Sequence, residues 1–419
     1  MSLDRGITSD LLRPAEGVQL FLREDGGLLF DQLGQRLFHL NVTAAFLWCH
    51  IESGRSTEDL VSEINVLMNI DRHRAYQMVL RIVRAWWDLG LVHGSRGKPS
   101  TEQQAACVMA PSSEPSDETM HNEKGALQRY YRLLDTRFFL SCPRCLEDLL
   151  HPVLAHLEIQ EIPSVNVHLT ITRSRREWRV LQGAMVLGKC QDLEELAPLV
   201  HGILASLALR HHSYLLALHA GGIAWEDRAM LLVGKSQSGK TTLTGAMVGE
   251  GWDYLSDDMI LMNRGSFSAR AVPSSLTIKP GGWEMLASRF PGRQAPRAHI
   301  RADGQTVGYI SPPKPRQGFY VPRPVQWVVF PSRDPGLPAG VRALPPLEGL
   351  QRLLTHCCGV PASLLPADIR RMVDASADIR WFEMTLTDLD AAVAILQSIA
   401  GTDLCDLSQS ALAPAVLSG

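Results

Sequence analysis

The sequence of 419 residues has no clean apolar run of membrane-spanning length. Its most hydrophobic stretch, Leu199 to Trp225, is broken by Arg210 and several histidines, and a membrane helix needs roughly 20 uninterrupted apolar residues. Neither charge sign is in excess. Lys and Arg total 41 against 44 Asp and Glu, for a net charge of −3, which leaves no basic footprint for nucleic acid or an anionic membrane. Cysteine is sparse, and its eight scattered positions fit free thiols in a reducing compartment better than a disulfide framework. The opening MSLDRGITSD lacks the charged-then-apolar layout of a signal peptide. With hydrophobic residues at 45% and charged residues at 20%, wholesale disorder is excluded. These absences predict a soluble, cytoplasmic protein with neither nucleic acid nor membrane as partner.

A further absence divides the chain. Between Gly94 and Gly125 there is no Leu, Ile, Phe, Tyr or Trp, and Ser, Pro, Glu and Gly take their place. Such a segment buries too little apolar surface to offset its ordering entropy. The expected organisation is a small module over 1–94, a flexible linker over 95–125 and a larger module over 126–419, with no internal repeat.

The small module opens with period-two segments: Val18, Leu20 and Leu22, then Leu28 and Phe30, then Leu37, His39 and Asn41. Turn chemistry at Asp25-Gly26-Gly27 and at Asp31 to Gly34 separates them, predicting three short antiparallel strands. Three helices follow. Asn41 or Thr43 caps the first through Trp48, and Ser56-Thr57-Glu58-Asp59 opens a second with Leu60, Ile64 and Leu67 on one face. Asp71 starts a third with a stripe of Tyr76, Val79, Val83 and Trp86. The sum is a winged-helix-like α+β unit.

That order, with LNVTAAFLW after the third strand and TEDLVSEI in the second helix, resembles the PqqD family, the RiPP recognition elements, over about residues 15–93. The resemblance implies a non-catalytic module that holds the leader of a ribosomally made precursor peptide as an added strand beside the third strand, packed on the third helix. Its groove would then involve Arg36, Leu37, Phe38 and His39 with Arg74, Met78 and Arg81. Exposed strand edges do offer unpaired backbone groups to extended peptides. On pattern alone, Leu37 and Phe38 also read as ordinary strand residues and the arginines as a solvated face.

In the larger module, residues 126–215 read as a lead-in subdomain: VNVHLTIT and EWRVL as strands, then a helix from Leu193. The core, 216–419, carries the chemistry. Arg228 to Val233 is a short apolar strand followed by GKSQSGKT, Gly234 to Thr241, and a helix-compatible segment. This is a complete phosphate-loop pattern. Glycines let the backbone wrap so that amides at Gly234, Ser236, Ser238, Gly239, Thr241 and Thr242 face phosphate oxygens at the positive end of a helix. Lys240 reaches the β and γ phosphates, and the Thr241 hydroxyl ligates Mg²⁺. ATP, or another nucleoside triphosphate, with Mg²⁺ is therefore expected. A helix over about 241–249 and a strand from Trp252 return Asp257 and Asp258 to the phosphate end, although two carboxylates on a surface turn give the same pattern. His219 lies just upstream of the nucleotide strand, where a lone histidine also fits a core position.

Taken together, LHAGGIAW, GKSQSGKTTL and YLSDDMIL resemble the HPr kinase/phosphorylase family, whose phosphate-loop fold is related to phosphoenolpyruvate carboxykinase. The resemblance implies an α/β kinase domain with Asp257 as the base toward a serine hydroxyl, Asp258 and Thr241 serving the metal, and His219 beside the transferring phosphoryl group. It also implies that Lys279, in LTIKPGG, faces the phosphates and that copies of the chain associate as a homo-oligomer; Lys279 fits a surface turn equally well. The family's glutamate-containing RGLG-type motif is missing, which argues against HPr as substrate. In PRQGFYVPRP, Arg316 or Arg323 could face a ligand, but a Pro-rich connection is favoured. Cys142-Pro-Arg-Cys145 has no second pair to complete a structural zinc site and reads as two chance thiols. The expected function is a leader-guided kinase acting on a serine, or another hydroxyl, of a precursor peptide. The alternative is a nucleotide-gated chaperone that delivers the peptide to another enzyme.

Overall fold

Alternation and caps build the N-terminal elements as the pattern predicts. A computed structural model describes residues 11–94, 126–160, 164–174, 176–333 and 338–401; the linker expected over 95–125 lies outside the described residues. The chain forms two units. One holds the described residues up to 94 with Pro345–Gln351 and Ser363–Ala377, two stretches that the sequence reading counts with the larger module; the other holds the rest.

In the first unit, β1 (Leu12–Pro14) pairs with β5 (Val92–Gly94), and β2 (Val18–Arg23), β3 (Gly26–Asp31) and β4 (Arg36–Leu40) form an antiparallel meander. Gly26 sits at φ +140°, and a Cβ there would lie 2.3 Å from the Leu40 carbonyl oxygen, so only glycine fits this turn. Asn41 accepts from the Ala44 amide to cap α1 (Val42–Glu52), Ser56 and Asp59 form a capping box on α2 (Thr57–Met68), and Asp71 caps α3 (Arg72–Asp88). Trp48 and Trp86 meet edge to face at 5.1 Å inside a core that includes Leu47, Leu60, Ile64, Val79 and Val83. Two expected core positions are corrected. Tyr76 is exposed because Ala75, four residues before Val79, completes the α3 stripe, and Leu67 is exposed near the end of α2, whose buried face is Leu60, Val61 and Ile64. The sheet turns bind the later stretches of the same unit. Gln35 exchanges two hydrogen bonds with the Leu364 backbone, and Asp25 accepts from the Leu347 amide.

In the second unit, a six-stranded sheet runs in the order β11 (Met185–Cys190), β10 (Glu177–Gln182), β9 (Val167–Ser174), β7 (Thr136–Pro143), β6 (Ala126–Leu133) and β8 (Glu158–Ile159). Helices α4 (Glu147–Leu154) and α5 (Leu193–Arg210) contribute to its core, Pro152 and Pro198 lying within them. Buried Cys142 belongs to that core, and Cys145 is exposed.

A nine-stranded sheet follows, its main path β16 (Ala269–Ala271), β15 (Met259–Met262), β12 (Leu216–Trp225), β13 (Arg228–Val233), β20 (Val325–Ser332), β23 (Arg380–Thr385) and β21 (Gly340–Leu344), with β14 (Asp253–Ser256) and β22 (Cys357–Gly359) also paired to β12. β13, β20 and β23 are mutually parallel and read as near-continuous apolar runs. One face is covered by α6 (Lys240–Gly249), α7 (Gly282–Leu286) and α10 (Leu389–Gly401). Helices α8 (Pro346–Leu354) and α9 (Pro366–Asp378) flank β22 in sequence. A small sheet of β17 (Leu276–Ile278), β19 (Thr306–Ile310) and β18 (Ala298–Ile300) completes the unit. Among the described residues no helix is long and apolar enough to cross a membrane.

Candidate active site

The second unit's site is organised by a double gap in the sheet around β12. Along its N-terminal half β12 pairs with β15 and β22, and along its C-terminal half with β13 and β14. Successive strands β14 and β15 share one edge, so β13 and β22 share the other. One edge opens at Ala220 and Gly221, between β15 and β14, and the other at His219, between β22 and β13. On one, the chain bends through Asp257-Asp258, and the Ala220 amide donates to the Asp258 carbonyl at 3.2 Å. On the other, β13 ends at Val233, the loop Gly234–Gly239 leaves the sheet, and β22 begins only after His356, whose carbonyl accepts from the His219 amide at 2.9 Å. The loop Gly234–Gly239, the Asp pair and His219 therefore converge at one point.

The loop is held in shape by its own lysine. Lys240 Nζ donates to the carbonyls of Gly234 at 2.7 Å and Lys235 at 2.9 Å, and burial pulls its pKa down. Gln237 and Gly239 take left-handed φ values of 69° and 94°, turning the chain into α6 with its first amides free of intrahelical partners. The buried Ser238 hydroxyl has no partner among the described residues. Gly221 of β12 lets α6 approach, since a Cβ there would stand 2.5 Å from Thr244 Oγ1. Thr241 and Thr242 are half-buried at the start of α6. Exposed Lys279, just beyond β17, lies close enough to contribute to the depressed Lys240 pKa.

The two aspartates have opposite environments. Asp257 is 2% exposed; its Oδ2 accepts from the Thr277 amide at 2.8 Å, and its Oδ1 lies 3.0 Å from the Tyr254 hydroxyl. That hydroxyl also lies 2.8 Å from the Ser274 carbonyl. Tyr254 has one proton for two acceptors, so both contacts are satisfied only when Asp257 carries a proton of its own. Burial accordingly raises the Asp257 pKa to about 6, reinforced by the adjacent Asp258 charge.

Asp258 is 63% exposed at its side chain, and His219 Nδ1 stands 3.1 Å from both its Oδ1 and its carbonyl oxygen. Both partners can only accept, so Nδ1 carries the proton and Nε2 is left for a ligand. The His219 hydrogen bond lowers the Asp258 pKa, with Arg301 and Lys240 adding to the effect. Asp258 thus faces solvent, whereas Asp257 is buried. The residue pattern, which paired the two aspartates, did not show this difference in burial.

The raised Asp257 pKa has a stability consequence in the metal-free protein. Stability conferred by the protonated form is complete below the ordinary value of 3.8 and is lost as pH rises through about 6. That gap corresponds to on the order of 3 kcal/mol of destabilisation near neutrality. Asn keeps the amide contact and offers Tyr254 the N–H donor that protonated Asp supplies. Asp257→Asn is therefore expected to raise the thermal midpoint by roughly 5 °C at pH 8 and by little near pH 4. Scanning calorimetry at both pH values checks this; an unchanged or lowered midpoint at pH 8 contradicts it.

Other residues singled out from sequence lie elsewhere. Buried Arg323 donates to the Glu226 carbonyl and stands 3.5 Å from Asp253, and Arg316 lies over Trp225. Both anchor the β12–β13 turn at the opposite end of β13 from Gly234.

The expected peptide groove lies in the first unit. β4 pairs with β3 alone among the described strands, so its other edge is open. Phe38 packs toward the core, and alternation puts Leu37 and His39 on the opposite face. Arg36 is engaged, donating twice to Asp31 and once to the carbonyl of Leu89 at the end of α3. On α3, Met78 is half-buried against the core, Arg74 pairs with Asp71, and Arg81 is exposed.

Residues 26–92 match the family model of coenzyme PQQ synthesis protein D (PqqD). The PqqD-like module thus comprises most of the meander, the three helices and the start of β5. Two solved structures are similar to part of the chain. "TbiB1 in complex with the TbiA(beta) leader peptide" is 20% identical, with 20% of this chain and 99% of that chain covered and a TM-score of 0.20. "Lasso peptide synthetase B1 complexed with the leader peptide" is 19% identical, with 20% and 98% covered and a TM-score of 0.19. No curated protein matches the chain.

Proposed function

We propose that the chain is an ATP- and Mg²⁺-dependent kinase that phosphorylates a serine, or another hydroxyl, of a ribosomally synthesised precursor peptide whose leader the PqqD-like module holds. The observation that carries the reading is the meeting of the phosphate loop, the His219–Asp258 pair and the sheet gap at a single point of β12. The residues fit a nucleotide: the orphaned Ser238 hydroxyl, the ammonium of Lys240 and the first amides of α6 form a donor set for phosphate oxygens. Thr241 supplies a hydroxyl of the oxygen type that Mg²⁺ takes, with phosphate oxygens and water completing such a shell. When bound, Mg²⁺ neutralises charge on the phosphate oxygens.

The chain's own residues do the rest. Lys240 leaves its two loop carbonyls for the β and γ phosphates. His219 fixes Asp258 toward the incoming hydroxyl, and Asp258 takes its proton. Asp257 stays beneath, where its hydrogen bond to Thr277 holds β17 against the turn. The open edge of β4 accommodates an added leader strand, as strand addition requires. Tethering by the leader raises the local concentration of the core toward about the millimolar range, so weak affinity at the phosphate loop suffices.

Intact-mass spectrometry of precursor peptides encoded near the gene, incubated with protein, ATP and Mg²⁺, tests the reading. A gain of one phosphate is expected, lost with Lys240→Met and weakened by leader removal. An unchanged peptide mass with intact leader binding would instead support a nucleotide-gated chaperone.

A further inference from the structure

We propose that His356 is a further phosphate-facing residue, whose ring donates a hydrogen bond to the terminal phosphate of the bound nucleoside triphosphate. The inference rests on the kinase reading and adds a residue to its site. Its first support is topological. β13 and β22 occupy the same edge of β12, and the phosphate loop leaves through the gap between them. His356 is the last residue before β22, so it stands on the far lip of the gap through which Gly234 and Lys235 depart.

The backbone there is pinned. The His356 amide donates to the Leu353 carbonyl at 3.0 Å, and its carbonyl accepts from His219. The next two residues are also held, Cys357 Sγ by the Gly359 carbonyl and Cys358 Sγ by the Ala217 carbonyl. A half-exposed ring on a fixed backbone is pre-organised for a ligand. Partial burial, with Lys240, His219 and Lys235 nearby, disfavours its cationic form. A neutral imidazole beside Lys240 and Lys235 keeps an N–H for an anion without adding to the repulsion between the two ammonium groups. Lys240 reaches the β and γ phosphates in such loops, so the phosphate nearest this cluster is a terminal one. Cys357 and Cys358 serve here as backbone anchors.

Nucleotide affinity separates this role from a structural one, because ADP lacks the phosphate in question. Isothermal titration of ATP and of ADP, each with Mg²⁺, is compared for the wild-type protein, His356→Leu and His356→Gln. The Leu variant is expected to lose about tenfold in ATP affinity while ADP affinity stays within about twofold; Gln, which keeps an N–H donor, recovers most of the loss. Equal weakening of both nucleotides, or an unchanged ratio, overturns the role of His356 and leaves the kinase reading standing. A wild-type protein that binds neither nucleotide overturns both.

Discussion

Asp258→Asn is expected to lower phosphate transfer to the peptide by about 10²- to 10⁴-fold while leaving nucleotide and leader affinities near their wild-type values. The argument starts from geometry. His219 Nδ1 is a donor to Asp258, and the carbonyl oxygen of Asn can accept the same hydrogen bond, so the side chain keeps its place and loses only its charge. The pKa of Asp258 is lowered, chiefly by that hydrogen bond, so the carboxylate stays ionised throughout the neutral range and its titration adds no slope to the rate between about pH 5.5 and 8. A carboxylate this acidic is a weak base. Weakness is tolerable in phosphoryl transfer, where the transition state is loose and the hydroxyl proton becomes acidic only as the new P–O bond forms. Quench-flow assay of phosphopeptide formation at saturating ATP checks the loss. Transfer within threefold of wild type would remove Asp258 from proton transfer and return Asp257 to consideration.

The contrast between the two aspartates marks where the sequence stopped being legible. Their arrival beside the loop Gly234–Gly239 followed from local arithmetic: strand, loop, helix, turn at Gly251, strand. Their opposite environments did not, because Asp257 is buried by Tyr254 from one side and by the Thr277 amide from β17, a contact twenty positions away that no periodicity announces. Tyr254 carried a faint signal, three residues ahead of Asp257 within the same motif. His356 carried none. It reaches the site only because β22 pairs with β12, joining segments far apart in the chain.

In the PqqD-like module the balance is different. Asn41, Ser56 and Asp71 cap their helices through bonds three residues long, so each helix start was readable in the sequence. Tyr76 was misplaced by one helical position, which on a 3.6-residue period turns a side chain by about 100°. Arg36 was placed in the groove by the resemblance alone; Asp31 and the end of α3 hold its side chain, and the latter partner comes from a helix terminus. Local bonds are legible and tertiary partners are not.

Lys240→Met is expected to reduce ATP affinity by about 100-fold or more and to bring transfer below detection, with leader affinity unchanged. Methionine nearly matches the buried stem, so the packing of α6 on β12 survives and the change is confined to the ammonium. In the wild-type loop that ammonium is the donor for the Gly234 and Lys235 carbonyls, and the variant leaves both facing a thioether. The loop is then expected to lose its wrapped shape before nucleotide arrives. Affinity consequently suffers twice, from the missing charge on the β and γ phosphates and from amides no longer pre-organised around them. Charge-assisted hydrogen bonds to phosphate are worth about 1.5–3 kcal/mol each, and two of them account for the expected loss. Titration of nucleotide and of leader peptide in parallel separates the effects. Wild-type ATP affinity in Lys240→Met would mean that Gly234–Thr241 is a glycine-rich turn and not a phosphate loop. Leader affinity that depends on ATP in the wild type and is uncoupled from it in the variant would shift the reading from catalyst to nucleotide-gated carrier.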